Sequence, residues 1–195
     1  LAVYLALLRK RIPVILMGKE AGDSAAEDII KTYEPSEIYD ETGLVKRTAA
    51  GHRINPELGL LLSTSGSTGA QKLVRLSYDN LQANCDSIVE YLGLSEKERP
   101  VTTLPMEYTY GLSVIHSHLA VGATIVLTNR TFFNREFWDI MTEQRVTSIA
   151  GVPYSYEMLF NRLHLETMEL PELKTLTQAG GHLNPELQER IGSWA

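Results

Sequence analysis

Cysteine is almost missing: Cys85 is the only one in 195 residues. An intrachain disulfide is therefore excluded. No Cys/His grouping has the spacing of a zinc site either, so no metal ligand set is expected. The five histidines (His52, His116, His118, His164 and His182) are scattered. His116 and His118 flank Ser117 on a helical stretch and therefore diverge. No apolar run approaches the ~20 residues that span a bilayer, and no signal peptide is visible. Positive charge is also in short supply. Lys and Arg number 18 against 24 Asp and Glu, for a net charge of -6. The basic residues are dispersed, which argues against a nucleic-acid surface. Repeats and low-complexity tracts are absent. What remains is a chain that is 44% hydrophobic and long enough for one domain or two small subdomains. That composition agrees with a soluble cytoplasmic enzyme without pointing to one.

The informative stretch runs from Leu60 to Lys72. Three leucines lead into Ser63-Thr64-Ser65-Gly66-Ser67-Thr68-Gly69-Ala70-Gln71-Lys72. Glycines let backbone N–H groups approach an anion, hydroxyls add rotatable donors, and lysine adds a compact positive charge. A polyphosphate needs all three. A flexible linker of similar composition would seldom join a buried strand to another apolar run. The nucleotide-hydrolase phosphate loop is excluded by spacing, because it requires Gly, four residues, then Gly-Lys-Ser/Thr. Here Gln71 precedes Lys72 and Leu73 follows it. Leu73-Val74-Arg75-Leu76 then alternates as a strand, and Ser77 is placed to cap a helix over 78–92 that Gly93 stops.

That order and those residues resemble the adenylate-forming (AMP-binding) superfamily of acyl-CoA synthetases, luciferases and peptide-synthetase adenylation domains. Thr64-Ser65-Gly66-Ser67-Thr68-Gly69, Lys72 and Ser77-Tyr78-Asp79-Asn80-Leu81 carry the match. Gln71 stands where the family usually has proline, and Leu73 where it has glycine. Leu104-Pro105-Met106-Glu107-Tyr108-Thr109-Tyr110-Gly111 resembles a segment that borders the carboxylate pocket, with Tyr108 in place of a frequent histidine. Gly122–Leu127 resembles the glycine-led strand that follows. Gly151-Val152-Pro153-Tyr154-Ser155-Tyr156 resembles the family's Val-Pro turn before a helix. Ala179, Gly180, Gly181 and His182 align without gaps to the segment whose backbone lies along the adenine. The resemblance covers most of residues 56–195.

The resemblance implies carboxylate activation: ATP and Mg2+ as cofactors, a small-molecule carboxylic acid as substrate, and coenzyme A or a carrier protein's pantetheine as acceptor. Hydroxyls of Thr64, Ser65, Ser67 and Thr68, with amides of Gly66 and Gly69, can surround phosphate oxygens while Lys72 offsets charge. Lys72 and Thr68 are the expected catalytic pair, acting by position and charge. Gly180, Gly181 and His182 are the expected adenine contacts, although a glycine pair also simply ends a strand. Tyr108, Tyr110 and Gly111 are the expected acyl-pocket residues, although aromatics before a helix are often core. Ser113 and His116 share a helix face but lack a third group to orient them. A non-catalytic nucleotide-binding or interaction module is the alternative.

Alternating strands and helices predict an α/β fold with mostly parallel sheet flanked by helices. By resemblance this is part of the N-terminal domain of an acyl-CoA synthetase-like fold, inactive as 195 residues alone. Residues 1–55 are expected to end a first α/β subdomain with its connecting loop, and 56–195 to form the nucleotide- and acyl-binding subdomain. The chain opens on a helix over 1–8 that has no cap, then Arg9-Lys10-Arg11 and a strand over 13–17, as if starting inside a structural unit. Residues 34–56 read as a loop with one short strand at most, and a seam is expected near 41–56. Strands are expected over 101–104, 123–127, 146–150 and 175–178. Helices are expected over 24–33, 112–121, 135–144, 154–163 and 185–191.

Overall fold

Leu60, Leu61 and Leu62 are all buried, although side chains alternate faces along a strand. Such a run needs cover on both sides. In the computed structural model, which describes residues 1–18, 22–47, 52–63 and 73–194, these leucines lie in β4 (Leu58–Ser63). This strand takes the centre of a three-stranded sheet. β1 (Val14–Leu16) runs parallel to it and β5 (Leu73–Ser77) antiparallel, in the order β1-β4-β5. The chain forms two compact units, Leu1–Leu81 and Gln82–Ala195. Their boundary falls later than the lapse in periodicity at 41–56, because β4 and β5 hydrogen-bond into the sheet of the first unit.

The first unit opens with α1 (Ala2–Arg9), which ends on Arg9 in its last turn and Arg11 at φ 55. α2 (Gly22–Tyr33) follows β1. β2 (Glu37–Asp40) and β3 (Gly43–Lys46) then pair as an antiparallel hairpin. Its turn is set by Asp40, whose Oδ1 accepts from Thr42 N at 2.7 Å and Thr42 Oγ1 at 2.6 Å, and by Gly43 at φ 117. The sequence predicts a loop with one short strand at most here, and the chain forms two paired strands. Tyr39, Leu44 and Val45 stay exposed, so the hairpin buries little apolar surface and leaves no clear alternation to read. α3 (Tyr78–Leu92) starts on a reciprocal cap: Asn80 N donates to Ser77 Oγ at 3.1 Å, and Ser77 N to Asn80 Oδ1 at 3.0 Å. It ends at Gly93, φ 61, with Leu94 N donating to Val89 O at 3.1 Å.

The second unit is built on a parallel sheet in the order β6-β7-β8 (Pro100–Val101, Ser148–Gly151 and Thr175–Gln178). Between and after these strands come α4 (Thr109–Ala120), α5 (Arg135–Glu143), α6 (Pro153–Asn161), a 3-10 turn at Leu165–Thr167, and α7 (Pro185–Trp194). β7 is buried at every position, as the central strand of a covered sheet must be. Phe137, Met141, Val146, Ile149, Tyr156, Leu159, Phe160 and Leu165 form the heart of the core. The strand expected over 123–127 is reduced to one bridge, Val126 to Val101. Two backbone hydrogen bonds hold it: Val126 N to Pro100 O at 2.8 Å and Thr102 N to Val126 O at 3.0 Å. The fold is α/β, with parallel pairing throughout the β6-β7-β8 sheet, mixed pairing in the β1-β4-β5 sheet and an antiparallel β2–β3 hairpin.

Candidate functional site

In an open parallel sheet, the loops leaving the carboxyl ends of the strands collect ligand-binding groups. In the second unit three such loops meet. One leaves β6 and reaches Tyr108, the residue before α4. A second, Val152-Pro153, leads from β7 into α6, with proline in the first turn where its missing N–H costs nothing. The third leaves β8 through Ala179, Gly180 and Gly181.

Tyr108 crosses to the third loop. A Cβ built on Gly180 would lie 2.6 Å from Tyr108 Oη and 3.4 Å from Val152 Cγ1, and Gly180 has φ 86. Only glycine suits that conformation and that space. Gly181 stands over Pro153, whose Cγ would be 3.2 Å from an added Cβ. Gln178 Nε2 donates to Gly181 O at 3.0 Å and closes the turn. Gly180, Gly181 and His182 are all exposed, so bare backbone faces outward beside the Tyr108 ring.

Tyr110 points elsewhere. Its ring meets that of Tyr108 edge to face, 6.5 Å apart at 78°, and its hydroxyl donates to Thr177 Oγ1 at 2.8 Å. Tyr156, on α6, donates to the carbonyl of the same Thr177 at 2.6 Å and also lies 3.2 Å from Ile149 O. Burial pushes the Tyr110 hydroxyl above its ordinary range, with the Thr177 bond opposing. Burial pushes Tyr156 up as well. Both therefore stay protonated and act as donors. Gly111 is buried in α4, where a Cβ would collide with the Pro105 carbonyl oxygen. Its part is to let the helix start close against the preceding turn. Ser113 Oγ donates to Tyr110 O at 2.8 Å, so its proton goes to the backbone.

The structure thus brings Tyr108 together with Gly180, and places Tyr110 against Thr177. Thr64, Ser65, Gly66, Ser67, Thr68, Gly69 and Lys72 lie outside the described residues. Their flanks are described: Ser63 and Leu73 are cross-strand partners on β4 and β5. Among the described residues, no group of three or more His, Cys, Asp or Glu is placed to hold a metal ion. Among them, too, no helix is long and apolar enough to cross a membrane. Thr177, Tyr156 and Gln178 were not singled out from sequence. The available signal was the spacing of Thr175 and Thr177 on either side of Leu176, which puts both hydroxyls on one face of a short strand.

The sequence profile of the AMP-binding enzyme family matches residues 13–194. The chain belongs to that family. Among AMP-binding relatives, it is 28% identical over 189 residues to peroxisomal OPC-8:0-CoA ligase 1 of Arabidopsis thaliana, covering 92% of this chain and 33% of the ligase. It is 30% identical over 174 residues to oxalate–CoA ligase of Arabidopsis thaliana, covering 87% of this chain and 32% of that one. The chain therefore spans about a third of the length of these curated relatives. Its fold is that of O-succinylbenzoate coenzyme A synthetase from Bacillus subtilis, solved in complex with AMP. The TM-score is 0.77 and the identity 18%, over 98% of this chain and 54% of the other.

Proposed function

We propose that the full-length protein carrying this chain activates a small-molecule carboxylic acid with ATP. The carboxylate attacks the α-phosphate, pyrophosphate leaves, and an acyl-adenylate forms. The acyl group then passes to the thiol of coenzyme A or of a carrier protein's pantetheine, releasing AMP. The observation that carries this reading is the hydroxyl- and glycine-rich segment 64–72, whose flanking residues Ser63 and Leu73 pair across two strands. The two residues that flank this polyphosphate-type sequence are thereby held side by side on a sheet. Membership of the AMP-binding family and likeness to CoA ligases support it.

In this reading Thr64, Ser65, Gly66, Ser67, Thr68 and Gly69 hold the β- and γ-phosphates. Lys72 and Thr68 balance the charge that develops on the departing pyrophosphate, and no protein nucleophile takes part. The exposed backbone of Gly180 and Gly181, with His182, lies along the adenine, and Tyr108 walls the acyl group. The nucleotide and acyl contacts of this reading all fall within residues 56–195. Mg2+ neutralises phosphate charge when it is bound, and it mostly keeps waters and phosphate oxygens as ligands. The described residues offer no carboxylate set of their own for it, so no step is assigned to a protein-held ion. We place the activity in the cytoplasm.

The test is carboxylate-dependent incorporation of pyrophosphate into ATP by the full-length protein, with a panel of acids and a Lys72→Ala/Thr68→Ala control. Incorporation with one acid class, lost in the control, supports the proposal and names the substrate class. ATP binding without incorporation for any acid replaces it with a non-catalytic nucleotide-binding or interaction module.

A further inference from the structure

We propose that Tyr110 is a positioning residue that, through Thr177, fixes the strand end and turn at 177–181. The inference rests on the reading above, in which this turn lies along the adenine.

Thr177 is gripped from two helices at once. Tyr110, from α4, donates to its hydroxyl at 2.8 Å, and Tyr156, from α6, donates to its carbonyl at 2.6 Å. The Tyr110 hydroxyl also lies against the Gly151 backbone, so one side chain touches the carboxyl ends of both β7 and β8. This grip falls where the sheet's own hydrogen bonding runs out. Gly151 and Gln178 are the last registered pair of the two strands. The next backbone contact, Ala179 N to Gly151 O, is stretched to 3.4 Å, against a usual 2.9–3.0 Å. One residue later the chain turns through Gly180 in the left-handed region, held locally by Gln178 Nε2 on Gly181 O. The exposed turn therefore hangs from Thr177, and the two tyrosines set where Thr177 sits. Tyr156 is fully buried in the core cluster, so its loss would damage the whole unit. Tyr110 is only partly buried. A phenylalanine at 110 would fill the same space and remove only the hydroxyl.

A pocket-lining tyrosine and a bracing tyrosine differ in what they move. Loss of the brace loosens the nucleotide segment and leaves the acid's own contacts alone. The experiment uses the full-length protein with Tyr110→Phe, Thr177→Val, the double variant, and Thr177→Ser, which keeps the hydroxyl. Two readouts are taken: the ATP and acid dependence of pyrophosphate incorporation, and ligand-free amide hydrogen exchange at 178–181. Tyr110→Phe and Thr177→Val should each raise KM for ATP about fivefold, the equivalent of one neutral hydrogen bond, with KM for the acid unchanged. The double variant should be no worse than either single one, and Thr177→Ser should behave as wild type. Amide exchange at 178–181 should quicken in both single variants. A rise confined to KM for the acid, multiplying effects in the double variant, or unmoved amides at 178–181 would each overturn the brace. If no acid supports incorporation, the carboxylate-activation reading fails, and the amide exchange alone then decides whether Tyr110 fixes the turn.

Discussion

The Tyr108 hydroxyl occupies the space that a side chain on residue 180 would need: a Cβ there would lie 2.6 Å from Tyr108 Oη. Gly180→Ala must both displace that ring and hold alanine at φ 86, a conformation that disfavours any Cβ. We expect a loss of about 1–3 kcal/mol, the usual range for overpacking plus backbone strain. Tyr108→Phe removes the offending oxygen, so the alanine should cost less in that background. A double-mutant cycle on the full-length protein, read as denaturant midpoints, measures the coupling. Additive effects would mean that strain alone, and not the tyrosine, keeps glycine at 180.

The start of α3 offers a local test. Ser77 and Asn80 exchange hydrogen bonds at 3.1 and 3.0 Å and satisfy two backbone donors at the helix N-terminus. Ser77→Ala should cost about 1 kcal/mol, and Ser77→Thr should keep most of it. Amide exchange at residues 79–81 is the measure, and it should rise in the alanine variant alone.

Phe137 is fully buried, with the rings of Phe132 and Trp138 each 5.2 Å away and nearly perpendicular to it. Its removal leaves a cavity in the core of the second unit that these rings cannot close without giving up their edge contacts. Phe137→Ala should destabilise by about 3–5 kcal/mol, and Phe137→Leu by clearly less. Amide exchange along β7, the central strand packed on this cluster, reads the loss. Protection of β7 unchanged in Phe137→Ala would show that the core repacks.

Much of this was legible in the residues. The cap at Ser77, the stop at Gly93 and the span of β8 at Thr175–Gln178 follow from signals confined to a few neighbours along the chain. The leucine run marked a buried strand, and β4 is one. What could not be read depends on contacts distant in sequence. The β2–β3 hairpin exposes Tyr39, Leu44 and Val45, so its pairing left no pattern. The segment at 123–127 looks like a strand, yet it is limited to a bridge because β6 beside it is only two residues long. Tyr110 stands next to Tyr108 in the motif, but its partner Thr177 is 67 positions away. Nothing near Tyr110 in the chain announces that bond.

The two histidines of α4 predict how the second unit responds to acid. Burial holds both His116 and His118 below the ordinary value of 6.5. His118 Nδ1 donates to Val114 O at 2.8 Å, and its Nε2 is buried without a hydrogen-bond partner. Protonation would place a cation on that nitrogen inside the core, with only the charge of Glu98 and the Val114 bond in its favour. In the unfolded chain the same rings take up protons near pH 6.5. Between that value and their lower folded values, the unfolded state therefore holds more protons, and stability must fall as pH falls. The full-length protein should show a flat denaturant midpoint above pH 6.5 and a decline below it. His118→Met fills similar volume without a titrating group, so the decline should become shallower while the high-pH midpoint holds or rises. A wild-type midpoint that stays flat well below pH 6.5 would mean that these rings accept protons in the folded state as readily as in the unfolded one. The α4 face would then have to be open to water, contrary to the burial of Leu112, Ile115, Ser117 and His118 along it.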